Sequence, residues 1–139
     1  VFGVFNMCKA ALVYLKKSDD AAIINISSEL SIKAVPERIA YCPAKAAVNM
    51  LTQCLAVECA PNIRVNAILP GLVETPMTKE RFDNIEGYKE AVTERYILKK
   101  ICTPEDVANA ALFFATEKSS FITGDLLTVC GGGHLHSSL

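Results

Sequence analysis

At 139 residues the chain is long enough for one domain of ordinary size. It is 51% apolar and 21% charged, a globular rather than a disordered composition. Its net charge of -1 makes no electrostatic case for nucleic acid or an anionic membrane. The apolar runs 10–15, 21–26 and 110–115 fall far short of the roughly 20 residues of a membrane helix. Six cysteines (Cys8, Cys42, Cys54, Cys59, Cys102 and Cys130) include no Cys-x-x-Cys pair. Most sit inside apolar helix or strand patterns, so they read as reduced thiols of a cytoplasmic protein. No secretory signal is visible. The chain opens on Val1 in what reads as mid-helix, so it is expected to be a fragment.

Residues 1–17 place Val4, Met7, Cys8, Ala11, Leu12 and Leu15 at helical spacing, and Lys16 and Lys17 suit the helix's C-terminal end. Ser18-Asp19-Asp20 is a turn. Residues 21–26 are apolar and rich in β-branched side chains, a strand covered on both faces as in a parallel sheet. A loop follows over 27–38. A long helix is expected over 39–60, with Ala44, Ala47, Val48, Leu51, Leu55 and Ala56 as its buried stripe and Pro61-Asn62 as its stop. Residues 63–69 form a second buried strand, broken by Pro70-Gly71. Thr75-Pro76 has the form of a capped helix start. Residues 77–100 are charge-rich and irregular in period, a helical excursion outside the core. Thr103-Pro104-Glu105-Asp106 opens a further helix to about Thr116. After Gly124 a last strand, 125–130, leads into Gly131-Gly132-Gly133 and a short tail.

Strands alternating with helices mean an α/β fold with a parallel sheet. Three strands are fewer than a doubly wound domain carries. The expected architecture is therefore the C-terminal half of a doubly wound, Rossmann-type single domain, with its missing strands upstream.

Tyr41 and Lys45 are one helical turn apart and share a face. Ser28 follows the first strand, and Pro70-Gly71 follows the second. Ligands of parallel α/β sheets bind outside the carboxyl ends of the strands, so three separate stretches converge on one rim. A tyrosine with a pKa near 10 is a poor acid or base at neutrality. A nearby ammonium favours the phenolate. Such a tyrosine can give a proton to a ketone oxygen or take one from an alcohol, while a serine hydroxyl holds the same oxygen. No side chain supplies hydride, which points to a nicotinamide cofactor.

Asn25-Ile26-Ser27-Ser28, Tyr41-Cys42-Pro43-Ala44-Lys45, and Arg64-Val65-Asn66-Ala67-Ile68-Leu69-Pro70-Gly71 with Thr75 closely resemble the classical short-chain dehydrogenases/reductases. Pro104-Glu105-Asp106-Val107-Ala108 and Ile122-Thr123-Gly124 continue the match in the same order, over essentially the whole chain. The separation of Ser28 from Tyr41 is the family's, which selects Ser28 over Ser27. The resemblance implies an NAD- or NADP-dependent enzyme that interconverts a ketone and a secondary alcohol, with a 3-oxoacyl reductase-like flavour. It makes Tyr41 the acid–base, Ser28 the group that orients the substrate oxygen, and Lys45 the partner of Tyr41 that also holds the nicotinamide ribose. Pro70 and Gly71 lead into a segment against the nicotinamide, with Val73 and Thr75 as contacts. Residues 1–139 are then an incomplete domain with 77–100 as its variable substrate lid, and a homodimer or homotetramer when complete.

The family's glycine-rich dinucleotide loop is absent. By the pattern Asn-x-x-Gly, opposite Gly3, a further catalytic asparagine falls immediately before Val1, and Asn6 does not substitute for it. Pro43 stands where serine or alanine is common, and Cys130 where aspartate is usual. Cys130, His134 and His136 lack a fourth metal ligand, so no metal site is expected. The triple glycine precedes no helix and is no phosphate loop; it reads as a device that lets the tail leave the last strand. The terminal Ser-Ser-Leu only faintly resembles a peroxisomal signal. Lys79, Glu80, Arg81 and Asp83 read as a solvated face. The alternative to an oxidoreductase is a truncated or non-catalytic relative that acts as a binding or assembly partner, marginally stable and with an exposed sheet edge.

Overall fold

The three apolar stretches with strand character all pair in parallel. β1 (Ala21–Ile26) lies beside β2 (Ile63–Pro70) with Ala21 opposite Ile63, and β2 lies beside β3 (Leu126–Val129) with Ala67 opposite Leu126. The computed structural model describes residues 1–135. Between the strands run α1 (Phe2–Leu15), α2 (Tyr41–Cys59), α3 (Pro76–Asn84), α4 (Tyr88–Glu94) and α5 (Pro104–Ala115), with short 3-10 turns at Glu29–Ser31 and Glu117–Ser119.

Strand alternation sorts the layers. Ala21, Ile63 and Val65 face α1 and α2, where they cluster with Cys8, Leu55, Ala56 and Cys59. The alternate residues of β2 face the other layer. Arg64 donates to the carbonyls of Phe114 (2.9 Å) and Ser119 (3.2 Å), at the end of α5 and just beyond it. Asn66 donates to the carbonyl of Ile122 and accepts from the N–H of Asp125, both at 3.0 Å. These bonds fix the connection that brings β3 in against β2.

The central strand β2 is buried along nearly its whole length, but β1 is less covered than its composition suggests. Only Ala21 and Asn25 of β1 are fully buried, and its outer edge pairs with no strand among the described residues. The expected apolar stripes also need correction. Met7 is 70% exposed, and on α2 the buried face consists of Val48, Asn49, Thr52, Leu55, Ala56 and Cys59. Thr52 and the amide nitrogen of Asn49 find partners, while Asn49 Oδ1 is buried without one among the described residues. Asn25 donates to Thr52 Oγ1 (2.9 Å), Thr52 donates to the carbonyl of Val48 (2.8 Å), and Asn49 donates to Ser31 Oγ (2.7 Å).

Helix starts follow the capping signals. Thr103 and Asp106 exchange both bonds of a capping box. Pro76 and Pro104 each begin a helix where no backbone donor is needed. The same tolerance admits Pro43 in the first turn of α2, which begins at Tyr41 rather than at residue 39. β2 runs one residue further than expected, through Pro70, and β3 is shorter than expected.

Asn66 is 1% exposed, so its replacement orphans two backbone groups. Asn66→Ala is expected to cost about 2–4 kcal/mol of unfolding free energy, measured by urea denaturation. A loss below about 1 kcal/mol would mean that the connection to β3 is held by other means.

Candidate active site

β1 delivers Ser28 to the carboxyl edge of the sheet. Beyond Ile26 the chain still follows the sheet, Ser27 donating its N–H to the carbonyl of Ile68 (2.8 Å). Ser28 is extended and buried, and its Oγ accepts from the N–H of Leu30 (3.2 Å), capping the Glu29–Ser31 turn. That leaves the hydroxyl proton of Ser28 available for donation. Tyr41 is the first residue of α2 and is 42% exposed. One turn later Lys45 Nζ donates to the carbonyl of Ile26 (3.0 Å) and lies 5.8 Å from the centroid of the Tyr41 ring. Ser27 Oγ donates to the carbonyl of Lys45 (3.1 Å), so strand end and helix start hold each other in both directions.

Ser28, Tyr41 and Gly71 line one cleft of about 420 Å³. Lys45, Pro70, Val73 and Thr75 are not among its lining residues. Pro70 closes the β2–β3 ladder opposite Val129, and Gly71 donates its N–H to the carbonyl of Val129 (3.0 Å). A Cβ on Gly71 would come within 3.0 Å of Tyr96 Oη and 3.2 Å of Cys130 Cα, so any larger residue there would need its neighbours to give way. Val73 bridges to Cys102, and its carbonyl accepts from Thr78 Oγ1 (2.7 Å). Thr75 opens α3 and donates its N–H to Thr78 Oγ1 (2.9 Å).

Two functional-looking residues carry no sequence motif. Tyr96, buried just beyond α4, accepts from the N–H of Leu72 (2.6 Å) and donates to Glu29 Oε1 (3.1 Å). Glu29 directly follows Ser28, and its Oε2 is buried without a partner among the described residues. Burial pushes the Tyr96 phenol well above its usual range against the opposing bond from Leu72. Burial also raises the Glu29 carboxyl, opposed by the bond from Tyr96 and the charge of Lys33. Nothing local in the sequence links two positions 67 residues apart.

The triple glycine turns the chain away from the end of β3, as expected, and packs over this pair. Gly131 and Gly132 have φ of +53° and +80°, the left-handed region that glycine tolerates. A Cβ on Gly133 would come within 2.5 Å of both Glu29 Oε2 and the Tyr96 ring. The carbonyl of Gly133 accepts from Lys33 Nζ (2.7 Å). Arg81, expected on a solvated face, lines the cleft. Cys130 Sγ lies 3.0 Å from His134 Nδ1, and among the described residues no group of three or more possible ligands is placed to hold a metal. His136 and the terminal Ser-Ser-Leu lie outside the described residues. A second cavity, of about 280 Å³, shares Tyr96 as a wall and is bounded by Cys102, Asp106 and Cys130.

The family described as enoyl-(acyl carrier protein) reductase matches residues 1–134. The chain belongs to the short-chain dehydrogenase/reductase family. It is 39% identical over 130 residues to the 3-oxoacyl-[acyl-carrier-protein] reductase of Chlamydia muridarum, covering 93% of this chain and 51% of that protein. Among solved structures, the aldohexose dehydrogenase of Thermoplasma acidophilum superposes with a TM-score of 0.92 at 31% identity, over all of this chain and 58% of its own. ElxO with NADP bound gives a TM-score of 0.89 at 34% identity, over 96% of this chain and 54% of its own. The chain thus spans about half the length of the relatives it matches. The fold and the order of motifs are those of this family's doubly wound α/β domain.

The raised carboxyl of Glu29 gives a pH signature. Above that raised value Glu29 is ionised whether the chain is folded or not, and the folded state bears the cost of a buried charge. As pH falls through the folded value, the folded state takes up its proton first and gains stability. Between neutrality and the ordinary glutamate value of about 4.3, the stability of the native chain should therefore rise relative to Glu29→Gln. Thermal denaturation of both across that range checks it; parallel curves would contradict it.

Proposed function

We propose that this chain is the catalytic C-terminal half of an NAD(P)-dependent oxidoreductase that interconverts a ketone and a secondary alcohol. One observation carries the reading: Ser28 and Tyr41 line the same cleft while Lys45 is pinned against the ring of Tyr41 by the carbonyl of Ile26. Two features support a half-domain. The outer edge of β1 pairs with no strand among the described residues, and α1 leaves Phe2, Met7 and Tyr14 largely exposed.

The residues fit a nicotinamide cofactor. One of the three protons of the Lys45 ammonium goes to Ile26, and the other two have no partner among the described residues, leaving them for ribose hydroxyls. The segment from Gly71 through Val73 to Thr75 leaves the same sheet edge and would lie against the nicotinamide ring. The bound cofactor supplies hydride to the carbonyl carbon in reduction and takes it back in oxidation. The protein's share is proton handling. Ser28 donates to the carbonyl oxygen and fixes its position, and Tyr41 Oη transfers its proton to that oxygen as charge develops there. The Lys45 ammonium favours the phenolate that remains. Because Tyr41 is partly exposed, water can restore its proton.

In this reading α3 and α4 form the substrate lid within residues 77–100, and the Tyr96–Glu29–Leu72 bonds seat the lid's far end beside Ser28. The complete protein acts as a homodimer or homotetramer in the cytoplasm. No helix among the described residues is long and apolar enough to cross a membrane, and all six cysteines are free thiols.

Tyr41→Phe in the complete protein should lower kcat by at least about a hundredfold with little change in NAD(P)H affinity. Steady-state kinetics and a cofactor fluorescence titration read the two separately. Undiminished turnover in this variant would sink the assignment.

A further inference from the structure

We infer that the substrate of this cleft carries an anionic group, a carboxylate or a phosphate, held by Arg38, Arg81 and Arg95 while its carbonyl sits at Ser28 and Tyr41. The inference rests on the proposed role of those two residues and adds the chemical class of what they act on.

The charged residues that line the cleft are Lys33, Arg38, Arg81, Arg95, Glu29 and Glu37. Several are already engaged. Lys33 donates to the carbonyl of Gly133, and Glu29 is buried against Tyr96 with its carboxyl raised toward the neutral form. The three arginines reach the cleft from three different segments. Arg38 lies in the loop three residues before Tyr41, Arg81 on α3, and Arg95 at the end of α4. None of them forms an ion pair among the described residues, and the contact of Arg38 is to the neutral carbonyl of its neighbour Glu37 (3.0 Å).

Two of the four lysines in the 77–100 segment are matched. Lys89 pairs with Glu74 at 3.0 Å and Lys99 with Glu94 at 2.7 Å. The same segment carries Glu80, Asp83, Glu86, Glu90 and Glu94, yet the only charged residues it contributes to the cleft are Arg81 and Arg95. A merely solvated face would show both signs there. Three guanidinium charges around one cleft outnumber the exposed carboxylate of Glu37, and an anion that accepts from their forks relieves their repulsion. The same cleft is also lined by Val35, Leu72, Tyr88 and Val92, which suits a short apolar spacer. The substrate class is thus a ketone, or the matching alcohol, with an apolar body and an anionic end.

The test uses the complete protein with its preferred nicotinamide cofactor and a panel of aliphatic oxo acids, each beside its uncharged methyl ester. kcat/KM for the acid should exceed that for the ester by roughly ten- to a hundredfold at low salt, and the advantage should shrink as ionic strength rises. In an Arg81→Gln, Arg95→Gln double variant the acid-over-ester ratio should collapse toward one through a higher KM for the acid. The corresponding lysine variant should restore part of it. Equal turnover of acid and ester by the native protein, or a ratio unmoved in the double variant, overturns the anionic substrate while leaving the Ser28–Tyr41 reading in place. If no ketone of either kind is turned over, that reading falls and this inference falls with it.

Discussion

The bond from Lys45 Nζ to the carbonyl of Ile26 is the contact on which the rest of the site depends. It joins the end of β1 to the first turn of α2 and is answered by the bond from Ser27 Oγ to the carbonyl of Lys45. The two bonds set where Tyr41, one turn earlier, stands relative to Ser28. The anchor is a neutral carbonyl rather than a carboxylate. A carboxylate would have compensated the ammonium charge, whereas a backbone dipole orients it and leaves the charge uncompensated, as the proposed function requires.

The same economy runs through the scaffold. β1 and α2 are joined by the buried chain from Cys8 Sγ to Asn25 and on to Thr52 and Val48. β2 and β3 are joined by Asn66 and its two backbone partners, and Arg64 closes the turn beyond α5. A parallel sheet of three short strands offers limited apolar area, and directional polar contacts specify which loop leaves each strand and at what angle. Asn25, Arg64 and Asn66, which make these contacts, all lie in the stretches that resemble the family.

That explains what was legible in the sequence. Strand, helix and turn signals are local, and the spacing of Ser28, Tyr41 and Lys45 reports one strand end and one helix face, so element order could be read directly. The polar half of the α2 stripe was not legible, because Asn49 and Thr52 are buried only where Ser31 and Asn25 are brought to meet them. Glu29 and Tyr96 meet across the fold, and no pattern in the chain announces that pair. The triple glycine signals the turn by which the chain departs from β3, but not the packing of that turn against Tyr96 and Glu29. Arg81 is solvated as its helical charge pattern indicates, but which charges on such a face border a cleft depends on how the helix lies.

In the proposed function the sheet edge holding Ser28 and the turn holding Tyr41 form one reaction centre. The most direct measurement is a crystal structure of the complete protein with reduced nicotinamide cofactor and an unreactive ketone analogue. The account predicts the analogue's oxygen within hydrogen-bond reach of both Ser28 Oγ and Tyr41 Oη, with the cofactor's ribose on Lys45. An analogue seated instead in the cavity bounded by Cys102 and Cys130, or a ribose that leaves Lys45 untouched, would contradict it.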